Sequence, residues 1–404
     1  MTRLADITGL DRLGIPVYTA VVPKSEDTIS VYNGKGLSLL DASTGALMET
    51  VERQVALRAE LPLESASVRE LEGGREAIVD PKSFNHKRRE TYSKDTPYLW
   101  ANAYDLVDNE PVKVPAALAG FGPRFVGSGS PFVVNSSNGL ASGNCFEEAV
   151  CHSLCELIER DALTLADLRS QWIPRAIREA VFGAVTGACG WDDVTECPVI
   201  DLESAGQPVA ELRERFEQVG LRPIVRNITS DLGICCAVAS VCDDSVQGFP
   251  QAHCGLGAHP NARTAVTRAL TELAQSRAAD IHGAREDIVS AGATPHSSER
   301  HMQRVQKIEP RRWLLQDGGP VRRFSDLPSV ENEDIAEDIK LILASLTRAG
   351  MHRVLVIDFD VPAGFSVVRV MVPGLEFWSL DGGAIGRRAL EFWKRHTSWV
   401  ADKL

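Results

Sequence analysis

One helix near the middle of the chain limits the fold more than any other feature. Residues 146–168 read FEEAVCHSLCELIERDALTLADL, with no interior Gly or Pro to break them. His152, Glu156 and Glu159 follow Glu148 by four, eight and eleven positions. At roughly 100° per residue they fall within about 80° of one another. Val150, Leu154, Leu157 and Ile158 take the opposite side and predict its burial. Three carboxylates on one stripe repel, so a positive partner is expected against them. A divalent metal suits them, because hard cations take carboxylate oxygens. A solvated acidic face on an amphipathic helix would explain the stripe equally well if it stood alone. The segment ahead of the helix, Ser137-Asn138-Gly139-Leu140-Ala141-Ser142-Gly143-Asn144, is rich in turn formers and reads as a loop with exposed backbone N–H groups.

The same arrangement occurs twice more. Asn33-Gly34-Lys35-Gly36 precedes a helix carrying Glu49, Glu52 and Arg53, an E-x-x-E-R run matched by Glu156, Glu159 and Arg160. A Gly-bearing loop followed by a helix N-terminus favours anions, and Lys35 adds a mobile charge suited to phosphate. Paired acidic helices facing each other suit Mg2+ bridging to a polyphosphate. The third copy is Gly255-Leu256-Gly257-Ala258-His259-Pro260-Asn261, then ARTAVTRALTELAQSR, where Asn261 is placed to cap. Arg268, Glu272, Gln275 and Ser276 share one side of that helix. A surface helix with an i,i+4 Arg–Glu pair is its plainer explanation.

The ordered set GKG, ASTGALMETVER, SNGLASGN, CELIERDA and RALTELAQSR resembles the YcaO family of ATP-dependent peptide-backbone-modifying enzymes. The resemblance runs from about Asp11 to Val372-Pro373-Gly374-Leu375-Glu376. It implies an ATP/Mg2+ site on the acidic helices. Lys35, Glu49, Glu52 and Arg53 match the first nucleotide motif, and Asn144, Glu148, Glu156, Glu159 and Arg160 the second. Arg268, Glu272 and Gln275 are expected at the nucleotide from the third segment. Two positions depart from the pattern. Gly45 stands where many members carry Ser, so Ser43 is taken as the hydroxyl contact; His152 stands where some carry Gln. Glu49, Glu52, Glu156 and Glu159 are the expected metal ligands, and no catalytic base is assigned.

The chemistry implied is transfer of the ATP γ-phosphoryl to a peptide amide oxygen after a nucleophile adds at carbon, so that phosphate leaves instead of oxide. External sulfide as nucleophile gives a thioamide; a substrate Cys, Ser or Thr gives an azoline ring. Ring-forming members often end in a Pro-rich tail, whereas this chain ends Thr397-Ser398-Trp399-Val400-Ala401-Asp402-Lys403-Leu404. Its Asp11-Arg12-Leu13-Gly14-Ile15-Pro16-Val17 and VPGLE segments look like the stand-alone group that works with a TfuA partner. The expectation is therefore thioamidation of a peptide or protein, with a sulfide source, a TfuA-like partner and a homodimeric assembly. An azoline-forming cyclodehydratase is the alternative, and a non-catalytic scaffold a more distant one, since all the glutamates are present.

Composition excludes more than it proposes. A net charge of −12 argues against a nucleic-acid groove. The one basic triplet, Lys87-Arg88-Arg89, reads as a solvated loop. No run reaches the ~18 apolar residues of a membrane span and no signal-peptide core opens the chain, so a cytoplasmic protein is expected. The nine cysteines form no C-x-x-C pair, which disfavours structural zinc or a disulfide framework. Cys151, His152 and Cys155 share a helix turn but read as packing residues.

Periodicity predicts helices near 42–58, 146–168, 207–219, 262–280 and 332–349, and strands near 196–201, 223–225, 234–241, 353–359 and 367–372. The chain is thus expected to form one mixed α/β YcaO-like unit over 1–404, with pseudo-repeated loop–helix units converging on the ATP/Mg2+ site. Segment 185–250 is a candidate inserted lobe.

Overall fold

Among the described residues three β-sheets divide the molecule, and each lends one strand–helix unit to its centre. The computed structural model describes residues 1–27, 29–84, 92–125, 136–174, 197–243, 251–284, 309–361, 364–381 and 384–401. The Lys87-Arg88-Arg89 triplet and residues 185–196 and 244–250 of the candidate lobe lie outside them. Strands are numbered along the chain. The first sheet joins β1 (Arg3–Asp6), β2 (Val17–Val21) and β3 (Val31–Lys35), all antiparallel. The second contains β4 (Leu63–Ser67), β5 (Pro97–Asp105), β6 (Glu110–Pro115), β7 (Leu140–Gly143), β13 (Leu355–Asp358) and β14 (Ser366–Met371). Its order is β4-β5-β13-β14-β7, with β6 beside β5. The third contains β8 (Val199–Asp201), β9 (Ile224–Asn227), β10 (Cys235–Asp243), β11 (Gln251–His259) and β12 (Val321–Arg323), in the order β11-β10-β9-β8-β12. Residues 197–243 of the candidate lobe are therefore woven into one sheet with β11 and β12.

Among the described residues the helices are α1 (Leu39–Arg58), α2 (Val68–Gly73), α3 (Ala116–Ala119), α4 (Phe146–Asp167), α5 (Val209–Gln218), α6 (Ala262–His282), α7 (Ile335–Arg348), α8 (Trp378–Asp381) and α9 (Arg387–Ala401). Five of them coincide with the runs read from periodicity. α1 starts earlier than its apolar pattern, because Ser38 closes a capping box. The Ser38 Oγ accepts from the Asp41 N–H at 3.1 Å while Asp41 accepts from the Ser38 N–H at 3.1 Å. Asn261 caps α6, its Oδ1 accepting from the Arg263 N–H at 2.9 Å.

The structure corrects the three Gly-bearing loops. Asn33-Gly34-Lys35 lies in β3, Ala141-Ser142-Gly143 in β7, and Gly255 to His259 in β11. The glycines serve contact more than turning. A Cβ on Gly34 would sit 2.1 Å from the Ala42 carbonyl oxygen and the Ala46 nitrogen on α1. On Gly143 it would meet the Ala149 nitrogen at 2.5 Å, and on Gly257 the Ala265 carbonyl oxygen at 2.1 Å. Each strand thus presses its backbone onto an alanine-lined helix, which a composition of turn formers conceals. Gly139, just ahead of β7, does need glycine's freedom, with φ at +79°.

α4 lies between the second and third sheets, packing on β7 and β14 on one side and β10 and β11 on the other. Leu154, Leu157 and Ile158 are buried in the largest apolar cluster with Val238, Val356, Val368 and Val370. Burial of such side chains contributes about 1.5–3 kcal/mol each. With that side fixed, the Glu148–Glu159 stripe turns to the opposite side, toward α1 and α6.

Candidate functional site

The three strand–helix units repeat one hydrogen bond. The Asn33 N–H donates to Glu49 at 3.0 Å, the Gly139 N–H to Glu156 at 3.3 Å, and the Leu256 N–H to Glu272 at 3.2 Å. Donor and acceptor are separated by 16, 17 and 16 residues. In each unit the backbone of the strand, or of the residue entering it, holds a glutamate of the following helix. One unit comes from each sheet, and the three carboxylates turn into a common cavity of about 2080 Å³.

Twelve of the residues singled out from sequence line that cavity: Lys35, Glu49, Glu52, Arg53, Asn144, Glu148, Glu156, Glu159, Arg160, Arg268, Glu272 and Gln275. Ser43 does not. Its hydroxyl donates to the Leu40 carbonyl at 3.0 Å, and Thr44 and Gly45 form the wall there instead. Lys35 reaches across from β3 to an ion pair with Glu272. Asn144 donates its N–H and Nδ2 to the same Glu148 oxygen at 2.8 and 2.9 Å. Arg160 pairs with Glu156 at 2.7 Å. Arg53 lies 3.4 Å from Asp27 and 3.8 Å from Glu52, with its guanidinium over the Phe121 ring. Arg268 donates to the Ala258 carbonyl at 3.2 Å.

The carboxylates crowd one another. Burial pushes Glu52 well above the usual carboxylate range; Arg53 opposes this, while Glu49 and Glu156 add to it. Burial likewise raises Glu159 to about 8, helped by Glu272 and opposed by Lys35 and Arg160. Glu52 on α1 thus feels Glu156 on α4, and Glu159 on α4 feels Glu272 on α6. His152 opens onto cavity solvent but lies deep among protein atoms. That desolvation, with Arg268 and Lys35, pushes its imidazole down to about 4. A neutral ring there adds no positive charge, so the acidic excess stands. Hard divalent cations take carboxylate oxygens, so the donor chemistry of Glu49, Glu52, Glu156 and Glu159 suits Mg2+, although among the described residues no three of these carboxylates bring their oxygens within 4.8 Å of one another.

Sequence reading missed several groups on the same wall. Asn33, 4 % exposed, has no hydrogen-bond partner for either carboxamide atom among the described residues. Its only signal was position, two residues before Lys35 and so on the same side of β3. His253 on β11 lies 3.4 Å from Asp280 on α6, and both line the cavity. Cys151, His152 and Cys155 do not come together as metal ligands: the free thiols of Cys151 and Cys155 are hydrogen-bonded to each other, which raises the Cys155 thiol, and burial adds to the rise. Cys151 instead approaches His259 and Asp338, with ligand atoms within 4.8 Å of one another. The His259 Nδ1 accepts from the Asn261 N–H at 3.0 Å, so its proton sits on Nε2, which faces Asp338 at 3.8 Å. A ring engaged at both nitrogens offers no lone pair to a metal.

The chain is similar to several known proteins over most of its length. The family model described as "YcaO cyclodehydratase, ATP-ad Mg2+-binding" matches residues 33–376. An uncharacterized protein of Methanothermobacter thermautotrophicus is 34% identical over 396 residues, 96% of this chain and 93% of that protein. An uncharacterized protein in the tfuA 3' region of Rhizobium leguminosarum bv. trifolii is 33% identical over 383 residues, 93% of this chain and 84% of that protein. YcaO from Methanopyrus kandleri, solved with AMPPCP and Mg2+, shares the fold with a TM-score of 0.65 at 23% identity, covering 96% of this chain and 89% of that one. A heterocyclase solved with substrate and cofactor gives a TM-score of 0.71 at 23% identity over 96% of this chain; the chain spans 51% of its length.

Proposed function

The chain belongs to the YcaO family of ATP-dependent, Mg2+-binding enzymes, and from that premise we propose that it phosphorylates a peptide backbone amide and replaces the amide oxygen with sulfur. The observation that carries the reading is the threefold glutamate arrangement, in which Glu49, Glu156 and Glu272 are each fixed by a strand backbone and face one cavity with Lys35 among them. Glu49, Glu52, Glu156 and Glu159 would hold Mg2+, and Lys35, Arg53, Arg160 and Arg268 would supply positive charge to the phosphates. Asn144 holds Glu148, and Gln275 faces the nucleotide from α6. When bound, Mg2+ neutralises charge on the transferring phosphoryl group.

Atoms balance as follows. Hydrosulfide, HS−, adds through sulfur to the carbonyl carbon, and the resulting alkoxide oxygen takes the γ-phosphoryl of ATP, releasing ADP. The C–O bond then breaks, phosphate leaves with its electron pair, and the sulfur proton is lost to give C=S. This chain's part is positional: the carboxylates and Lys35 would hold the phosphates against the amide. The 33% identity to a protein whose gene lies beside tfuA supports a TfuA-like partner in sulfide delivery.

Intact mass of a candidate peptide tests the reading after incubation with ATP, Mg2+, sulfide and the TfuA-like partner. A gain equal to oxygen replaced by sulfur is expected. Loss of one water would assign azoline formation instead. ATP and Mg2+ should also raise the melting temperature, since a ligand bound only to the native state stabilises it; no rise would overturn the nucleotide site itself.

A further inference from the structure

The cavity is larger than a nucleotide requires. Small-molecule sites occupy about 300–1,000 Å³, and this one has about 2080 Å³. Its surplus lies at the far end of α4, which runs past Asp167 into a π-helical stretch, Leu168–Trp172. Such stretches recur at functional sites. Trp172 follows Glu159 by 13 positions, or about 20 Å along a helix at ~1.5 Å per residue. There the lining changes character. Trp172, Trp378 and Trp393 stand together with Ile385 and Leu390, and Trp172, Ile385 and Leu390 are 42%, 48% and 49% exposed. The charged neighbours at this end, Asp167 and Arg311, neutralise each other at 2.8 Å.

The wall is held rigidly. Trp172 and Trp378 meet edge to face, with centroids 5.8 Å apart and planes at 73°. The fully buried Glu376 accepts from the Gly386 and Ala389 N–H groups, both at 2.9 Å, and so fixes the start of α9. Arg388 ties the same turn to Asp161 of α4 at 3.1 Å. Exposed apolar rings locked in place are costly unless something covers them.

We infer that this wall receives an apolar or aromatic side chain of the peptide substrate, about six residues from the amide that is modified. The inference rests on the acidic end holding Mg2+ and ATP. The reacting amide must then touch the γ-phosphoryl near the glutamates, and the rest of the peptide extends along the same cavity. At ~3.3–3.6 Å per extended residue, the span to the tryptophans corresponds to that spacing. An acidic or basic side chain would be desolvated there against groups already paired, whereas an apolar one gains by burial.

Affinity selection from a random heptapeptide library tests this on the full chain with a non-hydrolysable ATP analogue and Mg2+. Recovered peptides should favour Leu, Met, Phe or Trp over Asp or Lys at least tenfold at one position, the value of burying one such side chain (~1.5–3 kcal/mol). That preference should fall about tenfold on both Trp172→Ala and Leu390→Asp, each checked for folding by circular dichroism. Recovery of no peptides, no apolar preference, or a preference unchanged in either folded variant overturns the inference. The thermal shift of the unmutated protein with ATP and Mg2+ is read separately, so that loss of the nucleotide reading and loss of the peptide subsite are told apart.

Discussion

Replacing Glu159 with Gln should stabilise the protein in the absence of nucleotide while weakening its response to ATP and Mg2+. The carboxyl has an ordinary value of 4.5, and burial with the nearby Glu272 moves it to about 8. In the unfolded chain the proton leaves near the ordinary value; in the folded chain it is held until about 8. Between the two the folded state binds more protons, so stability falls as pH rises through that window, and the penalty is complete above it. At ~1.36 kcal/mol per pH unit the gap sets a ceiling of roughly 5 kcal/mol. Water in the cavity and the partners that titrate with Glu159 reduce this to about 1–2 kcal/mol. For a chain of this size that corresponds to a gain of about 1–2 °C in Tm. Differential scanning fluorimetry should show the gain for Glu159→Gln near pH 8.5 and none near pH 5. The rise caused by ATP and Mg2+ should shrink, because one metal ligand is gone. A variant less stable than wild type at both pH values, or equally stabilised at both, would refute the reasoning and make Glu159 a packing residue.

Glu156→Gln should lose ATP turnover by about a hundredfold or more, the scale of losing one preorganised electrostatic group, while its circular dichroism stays native; turnover within threefold of wild type removes it from the site. Lys35→Ala should raise the KM for ATP about tenfold with little change in Tm without nucleotide, and equal kinetics would make the Lys35–Glu272 pair structural only. Gly34→Ala should cost about 3 kcal/mol or more in urea unfolding, since its Cβ would lie 2.1 Å from α1 backbone. Gly9→Ala, where a Cβ meets nothing within 4 Å, should change stability by no more than ~0.5 kcal/mol; equal effects would show that close packing is not what Gly34 provides.

The helices that form the site are legible in the sequence because their apolar periodicity and acidic stripes are written in consecutive residues. Spacing alone puts Glu49, Glu52, Glu156 and Glu159 on matching helix faces. The strands ahead of those helices are not legible in the same way. Asn-Gly-Lys and Gly-Leu-Gly carry turn composition, and only the position of a helix 2.1 Å from an absent Cβ reveals why the glycines are there. The strands β4, β5 and β6 escape periodicity for a different reason. β5 reads PYLWANAYD, where Pro97 and the neighbouring Leu99 and Trp100 blur a clean alternation, β4 and β6 flank it, and its pairing with β13 joins segments far apart in sequence. The tryptophan wall is hidden because Trp172, Trp378 and Trp393 gather only when α9 folds back onto α4.

Because the three glutamate-bearing units belong to three separate sheets, no partial fold contains the site. A sheet that detaches, even briefly, carries away one of the three backbone-held glutamates and leaves the others facing water. Nucleotide binding therefore acts as a rivet through all three sheets at once. Hydrogen exchange should register it in amides of β3, β7 and β11 together, slowing openings that no single sheet controls. Under that coupling, anything that loosens one sheet, at whatever distance from the phosphates, weakens the hold on ATP in proportion to how often the sheet opens.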